Sequence, residues 1–431
     1  MAKDNPPDKD SGNSPFNRSA QHDAKRTAIL SQAAGLFNSK GSRATTLRDI
    51  AETLGLTKTS LYYYVKTKEE LIYQCYMAAL DHHHAALDEI EQKHTGAVER
   101  ASAFFLRQFD DWLAALSGEM PHIAALLEIA ALKQPHREEV EQRYIEMFKR
   151  LRQYLRDGIA SGELRTCDAT SATRAIIGAS DWTFFWLQRV PQEDVRGIAR
   201  DALDILARGI YAGPGAYPVT ALPAQEDSAA QMQGFNREEQ NRLKQEAFFK
   251  TGTWFFNKQG FTGTSLDEIA EQLNVSKGAF YYHIRNKEDL LFHCYERSLD
   301  IIEQIHRRAH KTCANGMQKA EFTCRQVFHT QNSDNGPLVR YNTITALPME
   351  RRRQILKRTQ KSNDVFGAFL EEGIEDGSVR PINAFVAQQL ITGATNAAMD
   401  IKLWRRVDDI DDAAIDYFDI FFNGLLPRNA S

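Results

Sequence analysis

The chain has 431 residues, is 42% hydrophobic and 26% charged, and carries a formal net charge of −4. That length predicts two or three domains, each large enough to bury its own core, and the near-neutral balance excludes a protein coated in basic charge while leaving room for a local basic face. No apolar run approaches the roughly 18 residues of a membrane span, and the opening MAKDNPPDKDSGNSPFNRSA lacks the basic-then-apolar order of a secretory signal. A cytoplasmic protein with no membrane partner is expected. Cys75, Cys167, Cys294, Cys313 and Cys324 have neither C-x-x-C nor zinc spacing and read as thiols in a reducing compartment, so no metal and no cofactor are expected.

In chain order, residues 1–22 are polar and read as a disordered tail. Residues 23–68 then open with a helix ending at Gly41, a residue suited to left-handed torsions. A capping box, Thr46-x-x-Asp49, starts a short helix that buries Ile50, Ala51 and Leu54 and stops at Gly55. Another helix begins at Thr57, and two short helices across a tight turn form a helix-turn-helix. Neighbouring Tyr62 and Tyr63 lie about 100° apart on that helix, so at least one is exposed. Thr67-x-x-Glu70 caps a longer helix with Lys68 in its first turn. A cation there opposes the helix dipole by a few tenths of a kcal/mol, which makes sense if the lysine and the terminal amides face a phosphate.

Residues 69–210 keep helical period. Asp81-His82-His83-His84 suggests a metal site, but three consecutive helical histidines point in different directions. Phe104, Phe105, Phe109 and Trp112 share an apolar helix, and Trp182 and Trp186 lie in ATRAIIGASDWTFFWLQRV, too aromatic for an exposed helix. Of these, Phe105, Phe109, Trp112, Trp182 and Trp186 are candidate ligand-pocket residues, with core packing as the alternative. Residues 211–236, rich in Pro, Ala, Gly and Gln, read as a flexible linker.

After the linker the chain repeats itself. TKTSLYYYVKTKEEL (57–71) returns as SKGAFYYHIRNKEDL (276–290), and Thr45–Asp81 aligns with Thr264–Asp300 without a gap, with 16 identities in 37 positions. RDGIASGELR (156–165) and EEGIEDGSVR (371–380) match at an offset of 215 instead of 219, so the second copy has lost about four residues. The organisation expected is a second head over 237–287 and a second body over 288–427, all-α throughout. The second head repeats the cap at Ser265, the reading positions Ser276, Lys277, Gly278 and Ala279, the tyrosines Tyr281 and Tyr282, and Lys287. The arginine-rich stretch 350–361 reads as a solvated helix face.

The phrase of small-polar residue, Lys, two small residues, apolar residue, paired aromatics and a spaced Lys-Glu resembles the TetR/AcrR family of bacterial transcription regulators. Both modules carry the resemblance, with Tyr64, Val65 and Ile284 departing from the usual residues. It implies a three-helix DNA-binding head on a helical regulatory body, in a regulator of the repressor type that is not an enzyme. The DNA-contacting set it implies is Thr46, Thr57, Lys58, Thr59, Ser60, Tyr62, Tyr63 and Lys68, with Ser265, Ser276, Lys277, Gly278, Ala279, Tyr281, Tyr282 and Lys287 in the second head. The partners implied are double-stranded operator DNA and a small-molecule effector. GASDWTFFW is similar to a subgroup responsive to acyl-CoA thioesters, drugs and aromatic acids being the alternatives. A ligand sensor or scaffold acting through protein partners is the competing reading. The modules are expected to pair as a pseudo-dimer within one chain, through 172–210 against 387–425, or else with their twins in a homodimer.

Overall fold

The computed structural model describes residues 15–42, 44–126, 129, 132–220, 237–333 and 336–428. Among them all regular structure is helical apart from one isolated antiparallel bridge between Tyr211 and Val379. The first head comprises α1 (Pro15–Lys40), α2 (Leu47–Thr53) and α3 (Lys58–Tyr64). Its body comprises α4 (Lys68–Lys93), α5 (Ala97–Ser117), α6 (His136–Ser161), α7 (Ala169–Trp186) and α8 (Val195–Arg208). The second module follows the same order: α9 (Arg237–Gly263), α10 (Leu266–Gln272), α11 (Lys277–His283), α12 (Lys287–Thr312), α13 (Gly316–Asn332), α14 (Met349–Asp376), α15 (Ala384–Ala397), a one-turn α16 (Ile401–Trp404) and α17 (Ile410–Asn423). Residues 15–22, expected in the tail, belong to α1; residues 1–14 lie outside the described residues.

The change of offset has a structural location. Gly96 and Asn315 cap α5 and α13 at an offset of 219, whereas Gly162 and Gly377 end α6 and α14 at 215. Helix α5 has 21 residues and α13 has 17, which accounts for the four lost residues.

The two modules pack on each other through α7, α8, α15 and α17, and α7 against α15 is the most extensive contact between any two elements. The contact is reciprocal, as in a two-fold interface. A Cβ on Gly178 would fall upon Ala397 Cβ, and one on Gly393 would fall upon Trp182 Cβ; Ala397 and Trp182 are themselves equivalent. Both glycines are there because the helix backbones approach too closely for a side chain. At the ends of the interface Arg165 pairs with Asp419 and Arg380 with Asp204, each at 2.5 Å. The Arg165 amide donates to the Leu425 carbonyl and the Arg380 amide to the Ile210 carbonyl, both at 2.9 Å. One buried cluster consequently joins Phe105, Trp186 and Leu206 to Leu390, Tyr417 and Phe418.

The start of the linker differs from a free tether. Residues 211–220 dock along the second module: the Tyr217 amide donates to Asn423 Oδ1 (2.6 Å), and the Tyr217 and Thr220 hydroxyls reach Glu321 Oε2 at 2.9 and 2.8 Å. Glu321 is buried and paired with buried Arg325 at 2.7 Å, and Arg325 also donates to the Thr220 carbonyl at 2.6 Å. A buried pair needs such further hydrogen bonds to offset its desolvation. Arg428 closes the arrangement by donating to the carbonyls of Arg208, Tyr211, Gly213 and Gly215. Residues 221–236 lie outside the described residues.

Gly393→Ala is expected to destabilise the chain by about 1–3 kcal/mol, because the backbone on the facing helix cannot yield as a side chain would. Gly197→Ala, where an added Cβ meets nothing within 4 Å, is expected to stabilise by about 0.5–1 kcal/mol through helix propensity. Urea denaturation of both variants checks the contrast; equal effects would remove the close approach as the reason for the glycine.

Candidate DNA-reading heads and effector cavity

Each head sets its reading helix by the same local chemistry. The Ser60 amide donates to Thr57 Oγ1 at 3.1 Å and the Ala279 amide to Ser276 Oγ at 3.2 Å, capping α3 and α11. The turn before each has positive φ, +64° at Gly55 and +53° at Asn274, which asparagine tolerates better than most residues. Leu61 and Phe280 anchor the helices in the cores. That anchoring turns Lys58, Thr59 and Ser60, and Lys277, Gly278 and Ala279, towards solvent. Both members of each tyrosine pair are exposed, Tyr63 at 73% and Tyr282 at 85% more so than Tyr62 and Tyr281.

Thr46 closes the expected capping box, its hydroxyl accepting from the Asp49 amide (3.1 Å) and its own amide donating to Asp49 Oδ2 (2.8 Å). Ser265 makes no side-chain cap, and nothing in the local geometry accounts for the difference. Lys68 and Lys287 depart from the phosphate-facing role expected of them. Lys287 Nζ donates to the carbonyls of Thr264 (2.6 Å), Phe261 (3.0 Å) and Thr262 (3.4 Å), and Lys68 Nζ to that of Thr45 (3.4 Å). The reason is electrostatic: the carbonyls of the last turn of α9 and of the residues just after α1 and α9 offer the negative dipole that the N-termini of α4 and α12 withhold. These lysines fasten the turn before the helix-turn-helix to the body.

The heads carry opposite charge at a position outside the reading phrase. Arg48, the second residue of α2, has Asp267 as its counterpart in α10. Arg48 is exposed and pairs with Glu52. Asp267 instead holds Lys277 at 2.7 Å, with the Tyr281 hydroxyl at 3.5 Å. Lys277 is therefore engaged within its own head, whereas Lys58 lies over the Tyr62 ring, 5.5 Å from its centre. Comparing the repeats at this one position was the signal that could have found it.

The bodies differ more. A cavity of about 740 Å³ opens in the second body. Its lining includes Thr323, Cys324 and Gln331 on α13, and Thr359, Ser362 and Asn363 on α14. Their counterparts in the first body are Phe104, Phe105 and Trp112 on α5, and Tyr144, Met147 and Phe148 on α6, side chains packed into the cores there. Six large residues in the first body stand where the second has small or polar ones, which leaves room for part of the cavity. Phe105, Phe109 and Trp112, expected at a pocket, are thus core residues. Trp182 and Trp186 do line a cavity, but the one in the other module, reached across the interface. Gln331 Oε1 and Trp186 Nε1 are buried there with no hydrogen-bond partner. Arg189 and Arg352 stand at the same cavity. On α12, His306 faces it as well, and burial pushes the imidazole down to about 4.

The histidine run 81–84 does not converge. His82 Nε2 lies 2.7 Å from Asp111, His84 Nε2 lies 3.1 Å from the Arg143 carbonyl, and His83 is buried near Phe104. Within 350–361, Arg351 and Arg358 clamp α14 to α12 through Asp289, Asp300 and Glu303. No described helix is long and apolar enough to cross a membrane.

Two exposed helix-turn-helix heads on paired helical bodies define a DNA-binding regulator. The sequence family described as "Bacterial regulatory proteins, tetR family" matches residues 29–75 and again 252–294, and "Tetracyclin repressor-like, C-terminal domain" matches 109–210. The chain belongs to the TetR family of transcriptional regulators, with the family's head present twice. It is similar to the HTH-type transcriptional repressor KstR2 of Mycolicibacterium smegmatis, 28% identical over 150 residues, 34% of this chain and 70% of that protein. To KstR2 of Mycobacterium tuberculosis it is 33% identical over 90 residues, 21% of this chain and 45% of that protein, so it spans less than half of that relative. A solved structure, that of the ketosteroid transcriptional regulator KstR2 of Mycobacterium tuberculosis, overlaps 42% of this chain and 92% of its own with a TM-score of 0.35 at 26% identity.

His306 ties the cavity to pH. Its folded value near 4 lies below the roughly 6.5 of an unfolded histidine. The fold favours the neutral ring, so this stability is present in full above pH 6.5 and is lost as pH falls through 6.5 towards 4. His306→Leu, which restores the residue found at the equivalent Leu87, is expected to recover on the order of 2 kcal/mol of the acid-side loss. Urea midpoints at pH 7.5 and 4.5 measure it. An unchanged acid slope would show that His306 does not titrate in this window.

Proposed function

We propose that the chain is a ligand-released repressor that reads an operator with two unlike half-sites, using one chain where other regulators use two. The observation that carries this reading is the reciprocal packing of the bodies, which fixes two exposed and chemically different reading helices on one particle. The first head offers Thr59, Ser60, a Lys58 held only over the Tyr62 ring, and the exposed Arg48. The second offers Gly278 and Ala279, able only to approach closely or touch a thymine methyl, with Lys277 restrained by Asp267. The first helix of such a motif crosses the phosphate backbone, so Arg48 adds affinity where Asp267 subtracts it. Thr57, Ser276, Tyr62, Tyr63, Tyr281 and Tyr282 complete the contacting set, while Lys68, Lys287 and Thr46 act by positioning.

The cavity in the second body is the effector site under this reading. One wall is aromatic, its depth holds unpaired polar groups, and Arg189 and Arg352 supply positive charge. An elongated anionic amphiphile fits that distribution, an acyl-CoA thioester foremost. Its reach is wider than its own module. Helix α12 lines it and continues to the second head, while Phe37, Asn38 and Ser39 at the end of α1 border it from the first, where Gly41 closes on Thr345. An effector that fits one arrangement of these helices better than another shifts DNA affinity by that difference alone.

Asp267→Arg is expected to tighten binding to the chain's own upstream DNA roughly tenfold at low salt and to steepen the salt dependence by about one to two counterions. Lys58→Ala is expected to weaken it and flatten the slope by about one. Fluorescence anisotropy measures both, and unaltered affinity in both variants would favour the scaffold reading. Light scattering at low micromolar concentration is expected to give 48.9 kDa for the free chain, with an asymmetric footprint on DNA; twice that mass on a symmetric site would mean that chains pair with their twins. Octanoyl-CoA is expected to lower operator affinity, and no effect from C4 to C16 thioesters would reject this ligand class.

A further inference from the structure

The position in the first body that corresponds to the cavity is occupied by the chain itself. Trp404, half-buried at the end of α16, crosses from the second module and covers Phe148 with ring centroids 4.1 Å apart. Tyr144 stands edge-on to it at 6.0 Å, and the Arg174 guanidinium lies 5.7 Å from its ring centre. The counterparts of Phe148, Tyr144 and Arg174 are Asn363, Thr359 and Gln389, and all three line the cavity in the second body. The counterpart of Trp404 is Arg189. Arg189 makes the same crossing in the opposite direction, its Nη1 3.4 Å from Gln360 Oε1 on α14, and borders the open cavity. The pseudo-two-fold thus carries an indole into one body and a guanidinium to the mouth of the other.

We infer that Trp404 is a built-in occupant of the first body's effector position, so that the chain takes one external effector where a pair of identical subunits would take two. The first body is held in its occupied arrangement by its own sequence: an indole of fixed concentration neither dissociates nor responds to the cell. Only the second body, where Arg189 replaces the plug, is left to sense. The identity of the effector rests on the reading of the cavity given above; the plug rests on the packing of Trp404 alone and is tested without any effector.

Removing the indole should open a pocket with an apolar lining, and such a pocket takes up a small aromatic of matching shape. Trp404→Gly is expected to bind one more equivalent of indole per chain than the unaltered protein, counted by native mass spectrometry and by calorimetry. Indole should also return the variant's lowered melting temperature to the unaltered value. Trp404→Leu, a milder truncation, is expected to lower the melting temperature less and to gain no indole site. Equal indole counts in the Gly variant and the unaltered protein would overturn the proposal. So would two equivalents bound to the unaltered protein, a measurement that needs no variant to fold. Failure of octanoyl-CoA to bind, with the extra indole site present, would overturn the ligand class and leave the plug standing.

Discussion

The close approach of α7 and α15 is the constraint on which the rest of the molecule depends. Glycine at 178 and 393 lets the helix backbones come nearer than any side chain permits, and the paired Arg165–Asp419 and Arg380–Asp204 contacts hold both ends. An interface of this kind ordinarily joins two chains and depends on their concentration. Here the partner is tethered, which replaces that concentration with an effective one in the millimolar range for a short linker. Tyr217, Thr220 and Arg428 commit the segment 211–220 to the surface of the second module.

A covalent pair is released from a restriction that binds a symmetric one. In a dimer of identical chains every substitution occurs twice, so a residue that suits one half must suit the other. In this chain Arg48 and Asp267 can carry opposite charge, Ser60 and Ala279 can offer different chemistry to a base, and Phe148 and Asn363 can fill one body while hollowing the other. Trp404 and Arg189 mark the same freedom at the interface itself. A tryptophan at both positions would block both bodies, and an arginine at both would leave the first body's aromatic core unfilled. The interface diverges as well, Trp182 standing opposite Ala397 in the alignment of the halves, but the contacts that set its geometry are matched, Gly178 with Gly393 and Arg165 with Arg380.

The hollow body stays open because its polar lining is held in place. Gln388 donates to the Asn363 carbonyl at 2.7 Å, and the Thr323 hydroxyl donates to the Lys319 carbonyl at 2.8 Å. Side chains fixed in this way cannot collapse into the space as a relaxed apolar core would. Lys319 is in turn paired with Glu372 on α14, and Arg358 ties α14 to α12, so the walls are braced from outside. Gln331 Oε1 and Trp186 Nε1 are left without a partner there, and a buried polar group without a partner costs free energy, which the proposed effector would relieve.

The sequence by itself determined the elements and their repetition. Helical period, the caps at Thr46, Thr57 and Ser276, the turns at Gly55 and Asn274, and the all-α architecture are local matters, decided within a few residues by backbone torsion and hydrogen bonding. The duplication, and even the loss of four residues, could be read by aligning the chain with itself. What local pattern could not decide was which groups meet across long separations. Lys287 reads as a phosphate ligand until the carbonyls 23 to 26 residues before it come into reach. Phe105 and Trp112 read as pocket residues because an apolar helix face looks the same whether it meets a ligand or another helix. Whether a body is full or hollow depends on the sum of volumes from α5, α6 and α7 or from their counterparts, together with whatever side chain arrives from the other module. That sum exists only once the two modules are packed, and the arrival of Trp404 in one body and Arg189 at the other was decided there, by the geometry of the interface.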